Sequence, residues 1–166
     1  MAKWKEDNLL LKESVPMMKG ESSLENSPFI LNPETNRYDS EEDFNVTRDI
    51  LKNFVAEDGD GFTINFGVIE GDFDCSELGL KSLKGAPIEV SGNFDCSWNK
   101  LTSLNGGPRL VFGNFSCVGN PLINLSRIPY EIGGDLNYSV NHLRNSSKEW
   151  LNKVSIGGKV RRSTVG

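Results

Sequence analysis

Sliding the chain against itself by 21 positions brings four segments into line: GDFDCSELGLKSLKGAPIEV, GNFDCSWNKLTSLNGGPRLV, GNFSCVGNPLINLSRIPYEI and the shorter GDLNYSVNHL. Gly71, Gly92, Gly113 and Gly134 lead, followed by Phe73, Phe94, Phe115 and Leu136 and then by Cys75, Cys96, Cys117 and Tyr138. Further on come Leu80, Leu101, Leu122 and Leu143, then Leu83, Leu104 and Leu125, then Pro87, Pro108 and Pro129, then Val90, Val111 and Ile132. Chance does not place so many apolar or conformationally special columns at one spacing. A fixed period of this length means a stack of small units, each burying its apolar side only against the units above and below. A helical bundle is disfavoured, as it also is by the 17 Gly.

Within each unit the core reads F-x-C-x-x-N-x-L, with Asn99, Asn120 and Asn141 at the asparagine place. This is the pattern of a strand followed by a turn. Side chains alternate along a strand, so Phe73, Phe94 and Phe115 face inward with Cys75, Cys96 and Cys117, while the residues between them face out. An Asn at the strand end can cap backbone groups left open as the chain turns, and at this period it forms a ladder through the stack. The two Leu columns fill the interior on the return path, and Pro, with its fixed φ, ends each return. In the first unit Leu78 stands at the asparagine place.

These residues resemble the leucine-rich repeat family, whose consensus is L-x-x-L-x-L-x-x-N/C-x-L. The stretch SLKGAPIEVSGNFDCSWNKLTSLNGGP looks like short repeats of the bacterial and bacteriophage type. The resemblance covers residues 69–143 as four units of 21. It implies an α/β solenoid with a parallel sheet, protein binding through the concave face, and a bacteriophage or bacterial setting.

The end layers of a stack need covers. Phe44, Thr47, Ile50, Leu51, Phe54 and Val55 fall on one helical face, and the turn Asp58-Gly59-Asp60-Gly61 leads into the alternating stretch FTINFGVI. Residues 39–68 therefore predict an N-terminal cap of helix plus strand. Ser146 or Ser147 is placed to N-cap a helix SKEWLNKV whose Trp150, Leu151 and Val154 would cover the last layer, a C-terminal helical cap over 144–156. Residues 157–166 read as a basic tail. Residues 1–38 hold apolar islands at 9–11, Met17-Met18 and 29–31 without sustained period, and read as an extended arm that orders by lying on something else.

The net charge of -5 argues against a nucleic-acid partner, although residues 40–80 carry 11 acidic and 2 basic groups whereas residues 144–166 carry 6 basic and 1 acidic. No stretch approaches the roughly 20 apolar residues of a membrane helix, and the start of the chain lacks a signal peptide's apolar run. The expected place is a virion or the cytoplasm of a bacterial host, with no membrane partner.

The outward positions are the candidate partner-binding residues. Asp74 and Asp95 lie between the Phe and Cys columns, and Asp72 and Asn93 just before Phe. Adjacent parallel strands lie about 4.8 Å apart, so the acids would form a like-charge ladder whose cost hints at use. Beyond the Cys column, Trp98 with Val118 nearby reads as a hot spot for a basic partner segment. The Cys spacing is that of the repeat and not of a C-x-x-C ligand pair, and the fourth member is Tyr138, so the thiols read as core and neither metal nor cofactor is expected. The lone histidine, His142, sits in a variable turn with no nucleophile arrangement, P-loop or H-E-x-x-H, so an enzyme is not expected. The chain reads as a non-catalytic protein-interaction module, a bacteriophage structural or accessory component docked in a larger assembly. The alternative is a free cytosolic inhibitor or adaptor that binds a host protein on its concave face.

Overall fold

A computed structural model describes residues 27–140, 142–144 and 147–164. The apolar islands at 9–11 and Met17-Met18, together with Asn141 and Ser146, lie outside the described residues.

The repeat builds a parallel-strand β-solenoid. Each 21-residue turn contributes two short strands joined at a glycine corner. One sheet, here the Phe sheet, is made of β4 (Phe73–Asp74), β6 (Phe94–Asp95), β8 (Phe115–Ser116), β10 (Leu136–Ser139) and β12 (Val160–Ser163), adjacent in that order. The other, the Val sheet, is made of β3 (Val68–Ile69), β5 (Glu89–Val90), β7 (Leu110–Val111), β9 (Glu131–Ile132) and β11 (Ser155–Ile156). Register follows the period: Phe73 pairs with Phe94, Phe94 with Phe115 and Phe115 with Leu136.

Like therefore packs on like in the core. Phe73, Phe94 and Phe115, the Cys column beside them and the Leu80, Leu101 and Leu122 column are all buried. Successive Phe rings stack at 5.6 and 5.5 Å between centroids with interplanar angles of 3° and 7°. Centroid separations larger than the strand spacing make this offset stacking, the favoured parallel arrangement of two rings.

The N-terminal end is closed by segments that do not repeat. β1 (Phe29–Asn32) and β2 (Arg37–Ser40) form an antiparallel hairpin, and Tyr38 bridges in parallel to Phe66. Phe29 is wholly buried against Phe54 and Phe66, edge to face at 5.9 and 5.1 Å. Residues 29–38 thus belong to the folded body and not to an extended arm. Phe29, Leu31 and Tyr38 alternate on one hairpin face, a signal of only four residues per strand that lacks the length of a sustained period. Within 39–68 the helical pattern yields a single turn, α1 (Arg48–Leu51), whose preceding Thr47 makes no side-chain cap. Short isolated helices are marginal, and Phe54 and Val55 are drawn instead into antiparallel pairing with Phe62 and Thr63. FTINFGVI is mostly irregular and becomes strand only at β3.

The C-terminal end also departs from expectation. α2 (Ser147–Leu151) is one short turn, and Trp150 remains 37% exposed and does not seal the last layer. The layer is covered by β11 and by β12 in the segment expected as a basic tail: Leu136 pairs with Val160, 24 residues on, and Ser139 with Ser163. The Gly157-Gly158 pair lets this happen, because Gly158 donates to the Gly134 carbonyl as each earlier corner does to its predecessor. The helical caps are thus single turns beside short strands joined by irregular corners. No helix among the described residues is long and apolar enough to cross a membrane.

Candidate functional site

Two ladders of side-chain amides and carboxylates flank the Phe sheet, one at each end of its strands. Asn99 and Asn120, both buried, form the expected one. Asn99 Oδ1 accepts from the Leu78 and Leu80 N–H groups at 3.0 Å, while Nδ2 donates to the Cys75 and Cys96 carbonyls at 2.9 and 3.0 Å. Asn120 repeats this one turn on, accepting from Leu101 and donating to Cys96 and Cys117. Each Asn therefore serves the turn before its own. Leu78 stands at the first place, where the turn one period earlier closes on itself, the Gly59 N–H donating to the Ala56 carbonyl at 2.9 Å.

The second ladder was not read from the sequence. Asn45 Oδ1 accepts from the Asp72 N–H, Asp72 from Asn93, Asn93 from Asn114, Asn114 from Asp135 and Asp135 from Lys159, all at 2.7–2.8 Å. Here each side chain serves the turn after its own. It ends at Lys159, whose side chain has no acceptor to offer. The preceding column must be glycine, since a Cβ on Gly113 would lie 2.6 Å from Asn93 Oδ1 and from the Gly92 carbonyl oxygen. Every unit begins Gly-Asp or Gly-Asn, and that pairing was the available signal. The Lys159 N–H and then the Arg161 guanidinium, 3.0 Å from Oδ2, hold the Asp135 carboxyl below the usual carboxylate range.

Asp72 and Asn93, expected as partner contacts, thus each commit one oxygen to the fold. Asp74 and Asp95 lie directly opposite one another, as the like-charge ladder requires, but the cost has local compensation. Asp74 Oδ1 accepts from the backbone and hydroxyl of Ser76, its other oxygen lies 3.6 Å from Arg48 Nε, and Asp95 Oδ1 accepts from the Ser97 N–H. Arg48 also reaches Glu77 at 3.1 Å, so one guanidinium from α1 spans two acids. Unrelieved repulsion is therefore not a reason to assign these acids a partner.

Of the two apolar candidates, Trp98 is the more exposed. It is 50% exposed and stands at φ 57° in a left-handed turn position shared with Glu77 and Gly119. Its indole lies flat over Gly119, where an added Cβ would come within 2.5 Å of the ring, and the Trp98 backbone N–H donates to the Val118 carbonyl at 2.8 Å. Val118 is half-buried. Trp98, Glu77 and Gly79 line an open depression at this edge.

Cys75, Cys96 and Cys117 are free thiols with no exposure. Burial, reinforced by the Asp95 carboxylate, pushes the Cys117 thiol up to about 12; burial likewise pushes Cys75 and Cys96 well above the ordinary range. Thiols so held are poor nucleophiles and poor ligands. Among the described residues no three His, Cys, Asp or Glu side chains group as a metal site, and His142 is exposed. Compared with known protein families, curated proteins and solved structures, the chain matches none.

Proposed function

We propose that the chain is a non-catalytic protein-interaction module of the leucine-rich repeat kind, a structural or accessory component of a bacteriophage particle docked through the exposed edge of its Phe sheet. The observation that carries this reading is Trp98. A large aromatic side chain half in water costs solubility, yet here it is held on a turn against Gly119, whose left-handed φ of 73° and contact with the ring both call for glycine. Rigid, amphipathic aromatics with little rotamer entropy to lose are the usual anchors of protein interfaces. Glu77, Asp74 and Asp95 outnumber the one guanidinium, Arg48, that meets the first two, and this excess of acid beside Trp98 favours a partner segment carrying a basic residue next to an apolar one.

Purifying the assembly from its native source and repeating the binding with variants tests this. Trp98→Ala is expected to weaken the partner by about 2 kcal/mol or more without changing thermal unfolding. Binding unchanged by Trp98→Ala and by Asp95→Lys would remove the site from this edge.

A further inference from the structure

On the opposite side, the return loops, β2 and the segment after α2 enclose a groove of about 600 Å³. Arg37, Arg109, Arg127 and Lys153 line it, with Tyr130 and Trp150, and its lining contains no carboxylate. Pro87, Ile88, Pro108, Ile128 and Val154 supply an uncharged floor. In a chain of net charge -5, four cations around one groove are a local concentration that the whole-chain charge conceals.

We infer that this groove docks an acidic peptide segment of a partner protein, its carboxylates meeting Arg109, Arg127 and Lys153 and one apolar side chain resting against Tyr130. The surface is separate from Trp98 and the inference does not rest on that site. Arg109 and Tyr130 are brought together by the repeat, since the Tyr130 N–H donates to the Arg109 carbonyl at 3.0 Å, and Tyr130 is 58% exposed. Guanidinium groups suit carboxylates because their planar fork can bond both oxygens. Two observations favour a peptide over a nucleic-acid strand. Lys153 Nζ already sits 4.8 Å over the Trp150 ring, where a base would have to stack. Glu131 and Glu149, both exposed, adjoin Tyr130 and Trp150 in sequence but lie outside the lining, so a long polyanion leaving the groove meets acids at once.

The test is fluorescence anisotropy of a labelled heptapeptide, three Glu on each side of a central Phe, with the full chain. Binding should weaken by about tenfold or more in the Arg109→Glu, Arg127→Glu double variant. It should weaken severalfold in Tyr130→Ala and with added salt, which screens exposed charge pairs. Trp98→Ala should leave it unchanged, which separates this groove from the other surface. All four positions are exposed, and thermal melts report whether each variant is folded. No binding of the acidic peptide, equal binding of a Gln-for-Glu version, or indifference to both groove variants would overturn the inference. Tighter binding of a labelled oligothymidylate that is lost in the double variant would overturn it in favour of a nucleic-acid groove.

Discussion

The two ladders cross the same stack in opposite directions and at different depths. The buried one, Asn99 and Asn120, reaches back to the preceding turn and satisfies N–H and C=O groups that water cannot reach. The outer one, from Asn45 to Lys159, reaches forward and satisfies N–H groups in more exposed corners. A repeat protein needs both because two short strands per turn leave two irregular corners per turn, and backbone groups there lack sheet partners. The depth of each corner decides which residues it tolerates. The buried ladder keeps Asn at both described positions, since it must donate and accept. The outer ladder accepts only, and so admits Asp as readily as Asn.

The comparison is broken most severely at Asn99. Asn99→Ala should cost about 3 kcal/mol or more in chemical denaturation, because the Leu78 and Leu80 N–H groups and two carbonyls lose their partner in a dry interior. A loss below about 1 kcal/mol would mean that water enters this corner.

The pH response of the two regions should differ in sign. The buried thiols keep their protons in the folded state to a higher pH than in the unfolded chain, near 9.0. Their contribution is therefore whole below pH 9 and is lost as pH rises above it, for Cys117 as pH rises toward about 12, by up to about 1.4 kcal/mol per pH unit for that thiol. In the outer ladder the Asp135 carboxyl is held below its ordinary 3.8 by the Lys159 N–H first and Arg161 second. Its contribution is whole above that value and is lost as pH falls through the lowered one. Stability measured against pH should fall at the alkaline end in wild type, and the fall should shrink in Cys117→Ala. The acid-side loss should shrink in Asp135→Asn. An alkaline limb unaffected by Cys117→Ala would show that this thiol does not control it.

Smaller effects sharpen the contrast. Asp72→Ala removes one forward bond, to the Asn93 N–H in a corner that water can partly serve, and should cost about 1 kcal/mol or less in the same denaturation. Asp72→Asn keeps the acceptor and should be within about 0.5 kcal/mol of wild type. At Thr63 the hydroxyl is buried without a partner among the described residues, so Thr63→Val should leave stability unchanged or slightly raise it, read as the midpoint of urea unfolding.

Against these expectations it is clear which features a linear reading can reach. The Phe, Cys and Leu columns, and the buried Asn ladder beside them, were legible because each is restated every 21 residues. Lys159 as the end of the outer ladder was not, since its corner, Ile156-Gly157-Gly158-Lys159, repeats Ile132-Gly133-Gly134-Asp135 at a spacing of 24 and so falls outside the 21-residue period. The candidate acids were found, but their work within the fold was not. That Asp74 faces Arg48 and that Asp72 serves Asn93 are contacts between segments 26 and 21 residues apart.

The sequence alone determined the solenoid, its in-register columns and the burial of its thiols. Translational repetition lets one local pattern specify every interface between turns. Only the tertiary structure decided how the stack ends: Phe29 and Tyr38 closing one end through edge-to-face contacts and a bridge to Phe66, and Val160–Ser163 docking on Leu136–Ser139 at the other. It also decided where four cations from separate segments meet in one groove. The hairpin contacts and the groove occur once, between residues distant in the chain, and the last strand repeats its predecessor at a spacing of 24, so the 21-residue signal announces none of them; the end contacts form because the apolar faces beside Phe66 and Leu136 are buried by whatever segment can reach them.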